Sequence, residues 1–473
     1  MIASSLLGTK RVFNHHVHIA YYWLALVDAL LFVGACYLAT WIYYLQDPAQ
    51  LALHLEALPL RAGIFAVITI LAMTSMGLYQ PRLREGTNGV LLRVGGALLL
   101  VTVAMSAIFY LLPALLLWRG VLAFTLVIAF ASALTTRVVF SNTVELEQFK
   151  RKVLVLGSGQ RAANIAERMR RKSDRRGFRI AGYVRSRNEQ TVVTTGNVFT
   201  PEQPLPEYAR DHDIEQIVVA LDDPDALPAE DLVRCRTWGI EVLNILDFFE
   251  QEASKVLVEE APPEWFIYAD GFNCGKAHDA AKRAMDLLAS FLLLMGTWPF
   301  MLVTVIAIKL EDGWRAPVIF RQKRVGLDGR AFDVLKFRSM TVDAEGDGKA
   351  RWATSNDTRI TRVGHIIRKL RIDELPQVIN VLTGEMSLVG PRPERPEFVR
   401  QLAAEIPFFD KRHCVKPGIT GWAQLNYPYG ASTRDALHKL EYDLYYVKNR
   451  SLFLDFLVLL QTAEVVLFGK GAR

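Results

Sequence analysis

The run Lys282-Arg-Ala-Met-Asp-Leu-Leu-Ala-Ser-Phe-Leu-Leu-Leu-Met-Gly-Thr-Trp298-Pro299-Phe-Met-Leu-Val-Thr-Val-Ile-Ala-Ile308-Lys309 decides how the chain lies against a membrane. Its apolar part has the length a helix needs to cross a bilayer, about 20 residues. Lys282 and Arg283 flank one end, and Lys309, Arg315, Arg321, Lys323 and Arg324 flank the other, so both ends belong on the cytoplasmic face. Pro299 removes a helix hydrogen bond near the middle and supplies a bend. A re-entrant helix over about 283–309, dipping into one leaflet and returning, satisfies both facts. A full crossing would strand everything beyond it outside the cell.

Upstream, apolar runs from Tyr21 to Tyr44, Leu58 to Leu78, Val90 to Leu112 and Leu115 to Phe140 predict a four-helix transmembrane bundle over 21–145. Lys10 and Arg11 precede it, Arg82, Arg84 and Arg93 surround the second connection, and Lys150, Arg151 and Lys152 follow it. The other connections are short or carry Asp47 and Glu56, so residues 1–20 form a cytoplasmic juxtamembrane segment and the chain re-emerges on the same side. No signal-peptide layout precedes the first run. His15, His16 and His18 lack a carboxylate or Cys partner nearby and are expected at headgroup level.

The hydrophobic fraction of 51% exceeds that of an ordinary soluble enzyme, in keeping with membrane spans. With 55 basic against 49 acidic residues, the net charge of +6 is small, and the basic residues cluster near membrane runs and in the C-terminal third. That placement suits anionic headgroups and phosphate ligands, and no nucleic-acid-binding pattern is present. Cys36, Cys235, Cys274 and Cys414 are scattered without CxxC spacing, against a disulfide framework or structural zinc.

Over 146–265 the pattern becomes Lys152-Val-Leu-Val-Leu, Phe178-Arg-Ile-Ala-Gly-Tyr-Val, Glu215-Gln-Ile-Val-Val-Ala-Leu and Ile240-Glu-Val-Leu-Asn-Ile, separated by polar helix-length stretches. This is the rhythm of a Rossmann-like α/β domain. Its first strand leads into Gly157-Ser-Gly159-Gln-Arg-Ala, a turn whose backbone N–H groups could receive a phosphate. The third glycine of the dinucleotide fingerprint is Ala162, and the second strand ends at Val184-Arg185 without an acid for a ribose. Nucleotide binding and a structural or dimerising role both stay open. Pro262-Pro263 marks a linker into the last domain, 278–473.

That domain surrounds one acidic pair, Asp373-Glu374, with Lys336, Arg338, Arg359, Arg362, Arg368, Arg371, Arg392 and Arg395. Guanidinium groups match phosphate oxygens in pairs, so their convergence implies a diphosphate ligand. Ile372 to Gly384 reads as a short helix with Asp373 near its N-cap and an apolar stripe of Ile372, Leu375, Val378, Ile379 and Leu382. Asp373, Gln377 and Asn380 share another face, surplus to packing and available to a ligand. On pattern alone, N-capping is the better account of Asp373. An ionised carboxylate can attack phosphorus if a cation neutralises the oxygens, and adjacent acids can divide attack and Mg²⁺ binding. The C-terminal run from Leu452 to Phe468, interrupted by Asp455, Gln461 and Glu464, reads as an interfacial or packing helix.

From about Ala280 onward the chain resembles the catalytic domain of the monotopic bacterial sugar-phosphate transferases that act on polyprenyl phosphate in exopolysaccharide synthesis. The likeness runs through Lys336-Phe-Arg-Ser-Met340, Arg359-Ile-Thr-Arg-Val-Gly364, Asp373-Glu-Leu-Pro-Gln377, Asn380-Val-Leu-Thr-Gly-Glu-Met-Ser-Leu-Val-Gly-Pro-Arg-Pro393 and Lys416-Pro-Gly-Ile-Thr-Gly-Trp-Ala-Gln424. The whole chain is similar to the large subclass, also called undecaprenyl-phosphate glucose or galactose phosphotransferases, with four spans, a Rossmann-like regulatory domain and an α-rich monotopic catalytic domain. The resemblance implies an inner-membrane homodimer with its soluble domains in the cytoplasm. It also implies a UDP-sugar donor, an undecaprenyl phosphate acceptor, UMP release and a covalent phosphosugar on Asp373. Glu374 would bind Mg²⁺, and Arg368, Arg392, Lys336 and Arg338 would face the phosphates. At the re-entrant bend Trp298-Pro299 keeps the family's proline and lacks its usual serine. A membrane-bound NAD enzyme would need an acid-base pair such as Tyr-x-x-x-Lys between Lys152 and Pro262, and none is there. A non-catalytic scaffold leaves the acidic pair unexplained.

Overall fold

The computed structural model describes residues 9–12, 15–79, 87–144, 150–169, 175, 177–186, 189–194, 196–269, 271–272, 275–341, 359–428, 430 and 432–467. Arg82, Arg84, Cys274 and the side chains of Lys10, Arg11, His16, His18 and Glu464 lie outside this description. The chain forms two compact units, one of residues 1–12 and 16–253, the other of residues 13–15 and 254–473. The expected boundary at 265 therefore falls inside the second unit, where Val256 and Val258 are buried in the core.

The first unit opens with short strand β1 (Thr9–Val12) and all but the first residue of β2 (His15–His18), and then helices α1 (Ile19–Tyr43), α2 (Pro48–Glu56), α3 (Leu58–Ser75), α4 (Thr87–Leu111) and α5 (Arg119–Val144). Of these, α1, α3, α4 and α5 are long and apolar enough to cross a membrane. Small residues such as Ala39, Ala62, Ala97 and Ala129 fill their shared core, which allows close backbone approach where lipid removes the hydrophobic incentive to associate. The helix α2 was not anticipated; Asp47, read as a loop acid, caps it by accepting from Gln50 N at 3.1 Å. Within the apolar core, the Asp28 carboxylate accepts from Tyr79 Oη (2.7 Å), Thr136 Oγ1 (2.8 Å) and an Arg137 guanidinium nitrogen (2.7 Å). A buried charge is tolerated there because it is paired and multiply hydrogen-bonded.

The α/β part contains β3 (Arg151–Leu156), α6 (Gln160–Arg168), β4 (Phe178–Val184), β5 (Val198–Phe199), α7 (Leu205–Asp211), β6 (Gln216–Val219), α8 (Ala229–Thr237), β7 (Glu241–Asn244) and α9 (Ile245–Ala253). Its five strands lie in the order β5-β4-β3-β6-β7, all parallel. Val153 to Leu156 are fully covered, as a central parallel strand requires. The two-residue β5 gave no sequence signal.

The second unit comprises α10 (Pro263–Tyr268), α11 (Gly275–Asp312), the antiparallel pair β8 (Ile319–Val325) and β9 (Ala331–Phe337), α12 (Arg362–Lys369), α13 (Gln377–Thr383), β10 (Ser387–Val389), α14 (Pro396–Glu405), β11 (Gly418–Thr420), α15 (Trp422–Asn426), α16 (Thr433–Asn449) and α17 (Leu452–Leu467). The 38-residue α11 passes through Pro299 as one helix and is the fifth long enough to span a membrane. Both of its ends are fastened to the unit. Lys282 donates to Asp455 Oδ2 at 2.7 Å, Arg283 to the carbonyls of Val381 and Leu382 at 2.5 and 2.8 Å, and Asp286 accepts from Ser387 Oγ and Leu388 N. At the far end Glu311 accepts from the N–H groups of Arg362 and Val363, and Ile308 packs with Phe337 and Ile367. Between these anchors Phe291, Leu292, Met295, Trp298, Phe300, Leu302 and Val303 are exposed. Lys282 and Arg283, read as flanking charges, are thus internal partners, because a helix C-terminus and the buried Asp455 both demand a cation.

Asp455 does not interrupt α17 as a solvent-facing charge; Leu454 and Val458 beside it are in the core, making α17 a packing helix. His15 is also buried in this unit, edge-on to Trp422 at 5.3 Å and hydrogen-bonded with the Tyr445 hydroxyl at 2.9 Å, which corrects its expected headgroup position.

The parallel pair β10–β11 joins two of the quoted motifs. A Cβ on Gly418 would stand 2.1 Å from Gly390 N and one on Gly421 2.2 Å from Gly390 O, so backbone meets backbone with no room for a side chain. Gly418→Ala is expected to cost about 1–3 kcal/mol, the usual range for overpacking, measured as a fall in melting temperature of the detergent-solubilised protein.

Candidate active site

Four segments converge on Asp373-Glu374, and each is held by a long-range contact. β9 carries Lys336 and is followed by Arg338-Ser339-Met340, of which Met340 bridges to Ile360 at the entry of α12. Thr361 caps α12 by accepting from Gly364 N at 2.9 Å, and a Cβ on Gly364 would lie 2.0 Å from Ser339 O. After α12, Arg371 takes a left-handed conformation, φ 58°, that turns the chain into a 3₁₀ segment, Ile372–Glu374. A non-glycine residue held there costs of order 1 kcal/mol or more and needs support from its surroundings.

The expected continuous helix over 372–384 is therefore broken into this turn and α13, with Pro376 at the N-cap. Gly384 ends α13 at φ 91°, as expected of its stop residue. Among the described residues Asp373 makes no capping hydrogen bond; it is buried, and its Oδ1 has no hydrogen-bond partner there. Asn380, by contrast, is not free for a ligand. It accepts from Leu335 N (3.0 Å) and donates to Asp333 O (2.9 Å) and Glu385 Oε2 (2.8 Å), tying α13 to β9. Ile379, expected on the apolar stripe, is exposed, and Val381 is buried in its place, packed in the core of this unit.

Glu374 Oε1 faces three cations, with Arg392 at 2.9 Å, Lys336 at 3.3 Å and Arg371 at 3.9 Å. Arg368 acts on Asp373 through its charge, whereas Arg338, two residues after Lys336, is buried with one guanidinium nitrogen unpartnered and makes no ion pair to the dyad among the described residues. The loop bearing Arg392 is clamped on its backbone: Arg412 donates to Arg392 O at 2.9 Å, Arg324 to Pro393 O at 3.1 Å, and Val325 N to Glu394 O at 2.9 Å. Arg412 is itself buried on Asp443 at 2.7 Å. Sequence reasoning read Arg283 and Arg324 as cations flanking the apolar run, where the structure turns them onto the backbone around the site, and it did not single out Arg412.

Electrostatics splits the two acids. Burial and then the Glu374 charge push the Asp373 carboxyl up to about 6, against Lys336, Arg368 and Arg371. Burial also works against ionisation of Glu374, but Arg392, Lys336 and Arg371 outweigh it and hold that carboxyl well below the usual range. A hard divalent cation takes one or two protein carboxylates and completes its shell with phosphate and water, and the unpartnered Oδ1 of Asp373 beside Glu374 fits such a donor set. Among the described residues no group of three or more His, Cys, Asp and Glu side chains forms a complete cage.

A family model described as "Bacterial sugar transferase" matches residues 277–469, and one described as "CoA-binding domain" matches 74–225. A UDP-N-acetylgalactosamine-undecaprenyl-phosphate N-acetylgalactosaminephosphotransferase of Aeromonas hydrophila is 52% identical over 41% of this chain and 45% of its own length. An undecaprenyl-phosphate glucose phosphotransferase of Komagataeibacter xylinus is 34% identical over 74% of this chain and 65% of its own. A UDP-glucose:undecaprenyl-phosphate glucose-1-phosphate transferase of Caulobacter vibrioides is 40% identical over 41% of this chain and 73% of its own. The chain belongs to the bacterial sugar transferase family. The match spans less than two thirds of the length of the first two of these relatives.

In this sugar transferase the matched region contains the dyad, all its cations and both anchors of α11. Asp373 provides a direct test of the electrostatics. Its carboxyl titrates near 6 when folded, above its ordinary 3.8, so its stabilising contribution is full below 3.8 and lost as pH rises through 6. Asp373→Asn removes that loss. The variant should gain on the wild type by about 2–3 kcal/mol between about pH 4 and pH 8, read from paired melting curves; a constant difference would contradict the shift.

Proposed function

We propose that this sugar transferase moves a sugar 1-phosphate from a UDP-sugar to undecaprenyl phosphate, with Asp373 as the attacking carboxylate. The observation that carries this is the unequal pair: a buried carboxyl near 6 with an unpartnered oxygen, beside an acid locked in its ionised form by three cations. At neutral pH Asp373 is ionised yet more basic than an ordinary carboxylate, which favours attack. Its oxygen bonds to the sugar-bearing phosphorus as the bond to the leaving phosphate breaks and UMP departs. An oxygen of undecaprenyl phosphate then attacks that phosphorus, and the bond to Asp373 breaks.

Arg392 and Lys336, with Arg368 and Arg338, supply positive charge for the diphosphate. Glu374 would hold Mg²⁺, which when bound neutralises phosphate oxygens that otherwise repel a carboxylate. The re-entrant reading of α11 rests on its two ends: each is fastened to the unit that holds the dyad, while residues between are exposed and apolar. A straight helix of that length would part its ends by roughly 57 Å at 1.5 Å per residue. A dip into one leaflet brings the site to the membrane surface, where a lipid phosphate waits. The remaining helices α1, α3, α4 and α5 form the four-span bundle, and the basic residues at its ends favour soluble parts on the cytoplasmic side of the bacterial inner membrane. Initiation of an exopolysaccharide, by a homodimer, completes the reading.

Relatives named for N-acetylgalactosamine and for glucose leave the donor to experiment. Detergent-purified protein with Mg²⁺, undecaprenyl phosphate and a panel of UDP-sugars is expected to release UMP from one donor. Asp373→Asn is expected to lower that rate by at least about 10³-fold, the scale for loss of a nucleophile. Full activity in the variant removes Asp373 as nucleophile.

A further inference from the structure

We infer that the glycine turn Gly157-Ser158-Gly159 is a closed anion cradle filled by the chain's own Asp222 and Glu189, so that the α/β domain takes neither CoA nor a dinucleotide diphosphate there. The two N–H groups that open α6 are already used: Gln160 N donates to Asp222 Oδ2 at 2.8 Å and Arg161 N to Asp222 Oδ1 at 2.9 Å. Ser158 N donates to Glu189 Oε2 at 2.7 Å, and Gly157 N to Val184 O at 2.9 Å. Glu189 Oε1 accepts from Asp222 N at 3.1 Å, so the two acids brace one another.

The space over the second glycine is filled as well. A Cβ on Gly159 would lie 2.1 Å from Asp222 Oδ2 and 2.8 Å from Glu189 Oε1. In a dinucleotide site that space admits the pyrophosphate, with the helix N-terminus supplying the attraction. Here two carboxylates take the place of the phosphate oxygens, and an arriving phosphate meets like charge instead of free donors. Glu189, the first acid after β4, is committed to the turn. The residues therefore do not fit the ligand in the matched family's name, and the turn serves to tie β3, α6 and the loop after β6 together.

Equilibrium dialysis of the full-length protein in detergent against CoA and against NAD⁺ is expected to give no saturable binding to millimolar ligand. The double variant Asp222→Ala, Glu189→Ala frees the donors. It should lower the apparent melting temperature by a few degrees, about the shift expected for loss of a helix cap in a domain of this size, and inorganic pyrophosphate should restore most of it. Should that variant fail to fold, Asp222→Asn with Glu189→Gln keeps the shape, and its melting is read in the same way. Saturable CoA or NAD⁺ binding by the wild type overturns the inference. So does a variant that melts with the wild type, or a loss that pyrophosphate leaves unchanged.

Discussion

Everything at the centre of the second unit depends on one buried charge, Glu374, being compensated by Arg392, Lys336 and Arg371. Two adjacent carboxylates cannot both be cheaply ionised away from water. The three cations settle the contest in favour of Glu374, and the same proximity raises Asp373. One acid thereby becomes a fixed counter-ion and the other a carboxylate more basic than usual. Removing a cation would leave a buried charge exposed to its neighbour, which is why the elements bearing the cations are so firmly held.

Those constraints reach outward through backbone atoms. Arg283 satisfies the last carbonyls of α13, Glu311 the first N–H groups of α12, and Arg412 the carbonyl of Arg392. The helix α11 supplies the first two from its opposite ends, so the element with the apolar exposed middle is also the one that fixes both helices flanking the dyad. Glycines at Gly364, Gly390 and Gly418 mark where backbone segments touch without a side chain between them.

Much of this was legible in the amino-acid order. Apolar runs of helix length announce themselves because a bilayer core has a fixed thickness, and α1, α3, α4 and α5 lie within a few residues of their runs. Four strands of the parallel sheet followed from β-rich segments at regular spacing, and Asp373-Glu374 stood out as a lone acidic pair among arginines. What stayed hidden depends on partners distant in sequence. Lys282 looks like a flanking cation until Asp455, 173 residues on, is seen beside it. Asn380 looks available until β9 claims it, and the glycine turn looks open until Asp222 and Glu189 close it. Arg371 stood among the cations around the pair, but its left-handed backbone has no compositional signature.

The most direct measurement is intact and peptide mass spectrometry of wild-type protein mixed with its UDP-sugar in the absence of undecaprenyl phosphate. With Asp373 as the nucleophile, UMP appears in a burst no larger than the enzyme concentration, and a phosphosugar mass is found on the peptide containing Asp373. UMP release that waits for the lipid phosphate, with no adduct on that peptide, would contradict the covalent role assigned to the raised carboxyl.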